Sequence, residues 1–380
     1  MTWDYRYDGP GFEVLALDSR TWRGFEPNAN PQIRSKFSDD ATATLLTDEA
    51  LHAQIPEQPA LGVNPDGVCF VIAGAPVLGF PVVESVLQPI INLVDIASRS
   101  RKPSPPFTTL KLAFAVGRVK HDPEPWGFEP SLFENVLARL ATRRRVVFFS
   151  GDVHYSFTQQ MNYWQLDTNW HAVHKTRFIQ LTSSSFRQLE APAPIAVVDL
   201  IQQLGGAAAK QARWGWRRGP VGTPAHDPPL EAGPNPFGAH LSLLLTQDPI
   251  VVSPGSVPKK TNIKRAAEWA WTTEVVGDLR PDEDRLAVLH PPPFSSQSQI
   301  DTVRSVGERH FWHAQNAMPR NWHWWTNFTT VEFGKNALNQ NVLRHKIWSY
   351  DPLGLEPTIQ PFLMAEIPLD VTDDPPEPTP

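Results

Sequence analysis

Val146-Val147-Phe148-Phe149 is apolar without interruption, and the chain then turns at once into Ser150-Gly151-Asp152-Val153-His154. A strand with one wet face alternates apolar and polar residues; one that is apolar at every position needs cover on both faces and belongs inside a layered sheet. Gly151 permits a tight turn that a Cβ would resist. Asp152 and His154 lie two apart, so extended chain points them the same way, about 6.5 Å apart along the strand. A carboxylate and an imidazole side by side at the mouth of a buried strand are common donors of a metal site. The plainer alternative is a turn-capping aspartate beside a packed histidine.

The segments around this strand predict an alternation of strands and helices. Gly11–Asp18, Val68–Ala73, Val146–Ser150 and Phe178–Thr182 read as strands, with a further one at Leu110–Val116. Asp39–Ala53 and Val82–Ser98 read as helices, the second kinked near Pro89. Pro130–Arg143 reads as a helix with Leu132, Phe133, Val136, Leu137 and Leu140 turned inward and arginines at its end. This order predicts an α/β architecture with its site at strand carboxyl ends. Beyond Leu189 the pattern changes to a helix over Ile195–Ala212 and strands over His240–Val252 and Glu268–Val276. Thr329–Phe333 and His345–Tyr350 read as a closing antiparallel pair, and Asp370–Pro380 as a disordered acidic tail.

Composition narrows the function classes. The 380 residues carry a net charge of -6, which gives no general attraction for nucleic acid or an anionic membrane, so neither is expected as a partner. No secretory signal opens the sequence, and Gly74, Pro76, Gly79 and Pro81 break its longest apolar region, which points to a cytoplasmic protein. Cys69 is the single cysteine, set in an apolar run as core filler, so no internal disulfide can form. The 39 prolines imply long ordered loops around a modest framework, because proline is excluded from helix interiors and central strands.

The apolar strand ending in Gly-Asp-Val-His resembles the last metal-binding motif of PhoD-like (alkaline phosphatase D-type) metallophosphatases, in the calcineurin-like metallophosphoesterase superfamily. Four further segments resemble that family in the same order. They are Leu17-Asp18-Ser19-Arg20-Thr21-Trp22-Arg23, Val71–Val77, Glu124 and Trp126 leading into the helix, and Gln180–Ser184. The resemblance implies part of a mixed two-sheet β-sandwich flanked by helices, with a Pro/Trp-rich insertion. It divides the chain into phosphatase core (1–190), insertion (191–310), closing strands (311–350) and a Pro/acidic tail (351–380). It implies hydrolysis of phosphomono- or diesters by metal-activated water, with Asp152 and His154 as ligands of Fe, Ca, Mn or Zn. Arg20, Arg23 and Tyr155 would face the phosphoester. The family's earlier ligand motifs, GDxxY and DDHD/E, do not stand ahead of the Leu17 strand. The expectation is therefore the carboxyl-terminal portion of a longer enzyme, weak or inactive alone, whether as a gene fragment, through a misassigned start or as a half that pairs with a separate amino-terminal half. The alternative is a non-enzymatic ligand- or partner-binding protein on a degraded phosphatase scaffold.

Other residues carry weaker signals. His171 and His174 are spaced as metal ligands on a helix might be, and His121-Asp122 is a loop pair of the same kind, but no third donor accompanies either. Trp312, Trp322, Trp324 and Trp325, and Trp214-Gly215-Trp216-Arg217-Arg218, can form stacking platforms or simply pack. Arg20 and Arg23 can equally fix the strand end through carboxylates such as Asp18. For Tyr155 and Ser183–Ser185 the bland readings are a packed rim aromatic and a polar turn.

Overall fold

The structure is a computed structural model that describes residues 3–22, 24–27, 41–59, 67–79, 126, 130–153, 156–183, 210–215, 267–280, 322–323, 327–351 and 358–376. The described residues are mostly β-sheet, with fewer helices than the expected alternation required. The main sheet has nine strands: β1 (Tyr5–Gly9), β2 (Phe12–Ala16), β5 (Val68–Ile72), β6 (Arg145–Ser150), β8 (Ala172–Thr182), β7 (Ser156–Leu166), β10 (Trp269–Val275) and β9 (Lys210–Gly215) in spatial order, with β11 (Trp322–His323) also on β7. Its middle, β2-β5-β6-β8, is parallel. The strands outside that ribbon join antiparallel. A hairpin of β3 (Gly24–Pro27) and β4 (Ala41–Thr44) and an antiparallel sheet of β12 (Asn327–Lys335), β13 (Asn341–Asp351) and β14 (Thr358–Pro368) complete the strands.

Each face of the parallel ribbon has its own cover. On one face Leu15, Val71, Val146, Phe148 and Phe178 pack with α1 (Asp48–Gln54) and α2 (Pro130–Leu140) in one apolar cluster. Leu132, Val136, Leu137 and Leu140 recur at helical spacing and are all fully buried there. On the other face Val147, Ile179 and Leu181 meet Leu343, Ile347, Leu363, Ala365 and Ile367 of the three-stranded sheet. That is the two-sided burial the Val146–Phe149 run required.

A buried ion pair ties the helix side to β2. Arg143 donates from Nε to Glu13 Oε2 at 2.9 Å and from Nη2 to Oε1 at 3.1 Å, and from Nη1 to the Pro56 carbonyl at 2.7 Å. Arg6 of β1 adds a third contact to Glu13 at 2.8 Å. Such a pair suits arginine, whose planar fork matches both carboxylate oxygens. Cys69 is buried nearby as filler, its thiol pushed up by burial and by the Glu13 charge.

Several expectations need correction. The predicted helix over Asp39–Ala53 is a strand at Ala41–Thr44 followed by a shorter helix, because Thr47, not Asp40 or Ser38, is the cap: its hydroxyl accepts from the Ala50 amide at 3.2 Å. Residues 210–212, expected to end a helix, instead open β9, which pairs with β10. The tail region contains β14, and residues 370–376 lie docked on the main sheet rather than disordered. His174 lies on β8 and His171 in the turn before it, so the pair does not share a helix face. The expected elements at Val82–Ser98, Leu110–Val116, 195–209 and His240–Val252, with His121-Asp122, Trp216–Arg218, Trp312, Trp324 and Trp325, lie outside the described residues. Among the described residues no helix is long and apolar enough to cross a membrane.

His345 sits fully buried between the two sheets, its Nδ1 2.7 Å from Thr158 Oγ1 and its Nε2 without a partner. Burial disfavours the imidazolium and pulls the group down to about 3. The unfolded chain takes up this proton near pH ~6.5. Stability present above that pH is therefore lost as pH falls towards 3, by up to about 1.4 kcal/mol per unit. His345→Gln should flatten this slope, so that between pH 7 and 4.5 it loses about 2–3 kcal/mol less than the parent in urea unfolding. Parallel pH profiles for the two proteins would contradict it.

Candidate functional site

The four parallel strands end at one level and hand their chains to four adjoining loops. Backbone pairing runs past the strands: Leu17 N–H to Ile72 O at 2.9 Å, Ala73 N–H to Phe149 O at 3.0 Å, Gly151 N–H to Gly74 O at 3.3 Å and Ser183 N–H to Ser150 O at 3.0 Å. The loops beginning Asp18, Gly74, Gly151 and Ser183 are therefore neighbours. A Cβ on Gly151 would lie 3.3 Å from the Ser183 carbonyl oxygen, tighter than ordinary contact. Gly151 is thus required by the close approach of the next loop rather than by an unusual dihedral.

Gln180 fixes the underside of this edge. It is fully buried, and its Oε1 accepts from the amides of Val77 at 3.0 Å and Leu78 at 3.2 Å. Its Nε2 donates to Ser150 Oγ at 2.8 Å. One side chain therefore holds the loop after β5 against the ends of β6 and β8.

Asp18 organises the loop after β2. Its carboxylate accepts from the amides of Trp3 at 3.0 Å, Arg20 at 3.1 Å and Thr21 at 2.8 Å, and from the Thr21 hydroxyl. Its own amide donates to Gln54 Oε1 at 2.8 Å, which anchors the loop to α1. Burial pushes this carboxyl up, but the bonds from Thr21, Trp3 and Arg20 outweigh it and hold Asp18 below the usual aspartate range. With its oxygens so engaged, Asp18 builds the loop and is a poor candidate ligand.

That loop delivers Arg20 to Asp152. The guanidinium donates from Nη2 to Asp152 Oδ2, and both side chains stay about half exposed, at 57% and 47%. Asp152 has φ 63°, in the left-handed region that aspartate tolerates better than most residues. The structure therefore brings together two of the five site residues named from sequence, Arg20 and Asp152. Arg23, His154 and Tyr155 lie outside the described residues. As a metal donor Asp152 has suitable chemistry, a hard and accessible carboxylate, but it is one donor only. Among the described residues no group of three His, Cys, Asp or Glu side chains could hold an ion. The described residues thus fit part of a metal site and not a complete one.

Sequence reasoning named Asp18 only as an anchor for arginine and missed its capping role and that of Gln180. The signal for Asp18 was present: Asp-Ser-Arg-Thr after a buried strand is a turn sequence in which aspartate bonds amides two and three residues on. Gln180 gave no signal beyond a polar residue inside an apolar strand. His171 pairs with Asp167 at 3.5 Å across the exposed β7–β8 turn, where Asp167 also accepts the His171 and Asn169 amides. This is a turn lock, not part of the site. Only the strand pairing of Trp322 with Phe157 is described for the 312–325 tryptophans. Trp214 is buried and packs with Trp164.

No protein-family model, no curated protein and no solved structure matches this chain.

Asp18→Asn tests the loop's construction. It keeps the volume but replaces an acceptor oxygen with a donor among amides that need acceptors, so a loss of about 2–3 kcal/mol is expected. Because the folded carboxyl is depressed, its contribution is present above pH ~3.9 and disappears as pH falls through the lower folded value. Acid unfolding of the variant should lack that component. Unchanged denaturant midpoints at neutral pH would count against the capping role.

Proposed function

We propose that this chain forms the carboxyl-end framework of a metal-dependent phosphoester hydrolase of the PhoD-like kind, cleaving phosphomono- or diesters. The observation that carries this reading is the position of Asp152. It projects at a positive φ from the end of a buried parallel strand, beside the loops that follow β2 and β5. Ligands of open α/β sheets collect at such carboxyl ends. Asp152 and His154 are the residues that would hold Fe, Ca, Mn or Zn, with further donors from outside the described residues or from a second chain. A metal there supplies a polarised water and charge stabilisation at the phosphoryl oxygens.

The chain's own groups have defined tasks in this reading. Arg20 is long, exposed and tethered by the Asp18 turn, so it can leave Asp152 and take a phosphate oxygen through two parallel N–H bonds. Gly151 lets the Asp152 loop sit against Ser183, which keeps the carboxylate placed while its partner changes. Because the family's GDxxY and DDHD/E ligand motifs do not stand ahead of the Leu17 strand, the purified chain is expected to be a weak catalyst alone.

One observation favours a second reading. Arg20 already neutralises Asp152. A guanidinium in that place competes with a cation, as expected of a ligand- or partner-binding scaffold that has given up catalysis.

The two readings part in one set of assays. Purified chain is supplied separately with iron, calcium, manganese and zinc, and bound metal and turnover of p-nitrophenyl phosphate and bis(p-nitrophenyl) phosphate are measured. Hydrolysis expects weak metal-dependent turnover that Asp152→Ala and His154→Ala abolish. It also expects Arg20→Ala to raise KM roughly tenfold, about 1.4 kcal/mol, with a smaller effect on kcat. Neither bound metal nor turnover would favour the binding scaffold.

A further inference from the structure

Residues 370–376 cross the main sheet at the end opposite Asp152, and their contacts share one polarity. Arg145 donates from Nε and Nη2 to the two oxygens of Asp370, both at 2.9 Å. Arg177 Nη2 donates to the Asp370 carbonyl at 3.0 Å, and Asn162 Nδ2 to Asp373 Oδ2 at 3.3 Å. The Asp373 carbonyl accepts from Trp164 Nε1 and from Lys175 Nζ, each at 3.2 Å. Lys175 also reaches Asp374 at 3.1 Å, and Trp214 Nε1 donates to the Pro376 carbonyl at 2.6 Å. In every one of these bonds the sheet is the donor and the strap the acceptor.

Such a groove selects its occupant. An array of two arginines, a lysine, an asparagine amide and two indoles needs carboxylates and carbonyls, the buried Asn162 Oδ1 being an acceptor there that has no partner among the described residues. Acidic extended chain with prolines, which lack a backbone N–H, meets the need. Arg177 shows the groove is built for negative charge. It is 5% exposed, its Nε has no partner, and burial pulls the group down to about 10 while Asp373, Asp370 and Glu274 act against the fall. Burying a guanidinium is tolerable only beside anions.

The strap itself is held by polar contacts with little apolar burial of its own. Leu363, Ala365 and Ile367 of β14, with Leu369 just past it, anchor the chain, but beyond that point Val371 is only partly buried in an apolar cluster, and Thr372, Asp373 and Asp374 are exposed. The Lys175–Asp374 pair is exposed and holds weakly, so the bidentate Arg145–Asp370 pair at the start of the strap carries most of the ionic attachment. We propose that the groove of Arg145, Lys175, Arg177, Asn162, Trp164 and Trp214 is a docking site for an acidic, proline-bearing extended peptide of another molecule, and that residues 370–376 are its resident competitor. A tethered strap competes at an effective concentration on the order of millimolar. An incoming segment must therefore outbid it or arrive where it has been weakened.

The test uses the full chain and a fluorescein-labelled peptide with the sequence of residues 370–376, read by anisotropy. Asp370→Ala/Asp373→Ala/Asp374→Ala, which weakens the resident strap, should bind the peptide at least tenfold more tightly than the parent. Adding Arg145→Gln should remove the gain, and a peptide with asparagine for each aspartate should bind neither protein. Equal binding to parent and triple variant, or none to a triple variant with normal melting, overturns the proposal. Should the triple variant not fold, a nitroxide spin label on Thr372→Cys of the parent decides, Thr372 being exposed and Cys69 buried. Excess unlabelled peptide should raise the mobility of the label, and unchanged mobility overturns the proposal.

Discussion

A parallel ribbon of four strands cannot leave a face in water, and the rest of this fold follows from that constraint. β2, β5, β6 and β8 carry apolar side chains on both faces, so each face must find a separate apolar partner. The chain meets the need with unlike covers. Among the described residues two helices close one side, and a three-stranded sheet from the far end of the sequence closes the other. Full burial of Val147 against Leu363 and Ile367 places residues more than 200 positions apart in contact. Such long-range closure costs chain entropy before it returns any stability. The buried Glu13–Arg143 pair fixes where the helix side sits, because a bidentate pair tolerates little slippage.

With both faces covered, chemistry is left to the two ends of the ribbon, and these carry opposite electrostatic problems. At the carboxyl end Asp18 is buried, and it remains ionised because the loop that it organises aims three amides and a hydroxyl at it. At the other end Arg177 is buried and remains charged under Asp373 and Asp370 of the strap and Glu274 of the sheet itself. Each end satisfies a desolvated charge, but by different means. Asp18 relies on backbone donors of a short local turn, which cannot leave without unfolding it. Arg177 relies in part on a segment almost 200 residues downstream, which can.

Much of this was legible in the sequence where one short stretch carried the whole signal. The continuous run Val146–Phe149 announced a two-sided strand, and Leu132, Val136, Leu137 and Leu140 announced the helix beside it. The closing pair near Thr329 and His345 was readable because its apolar residues alternate, and Val331 does face His345 across the ladder. Where the signal was split or distributed, reading failed. Ala41-Thr42-Ala43-Thr44 looked like the first turn of a helix because Leu45, Leu46 and Leu51 suit one, yet its pairing with Gly24–Pro27 is invisible locally. β7, eleven residues with glutamines and an asparagine inside, gave no strand pattern because Gln159 and Asn162 are buried through partners elsewhere in the fold: Gln159 bonds Thr273, and Asn162 bonds Asp373. The tail was misread for a related reason. Acidic, proline-rich composition predicts no core of its own, and composition does not reveal a groove of donors on another element.

At the site, sequence named Arg20 and Asp152 separately, with Asp18 as the arginine's carboxylate partner, and did not reveal that the two pair with each other. Two ion pairs in this chain differ in exposure. Glu13 and Arg143 are nearly sealed, with side-chain exposures of 1% and 5%, so separating them would strand charge in a medium that cannot solvate it. Arg20 and Asp152, at 57% and 47%, are bathed in water that can replace either partner at small cost. The first pair can only be structure. The second can separate without stranding charge, and in the hydrolase reading proposed above Asp152 would take a cation and Arg20 a phosphate while the Asp18 turn and the Gly151 approach stay in place. In that reading the buried framework serves to hold the two loops at a distance where the exchange can happen.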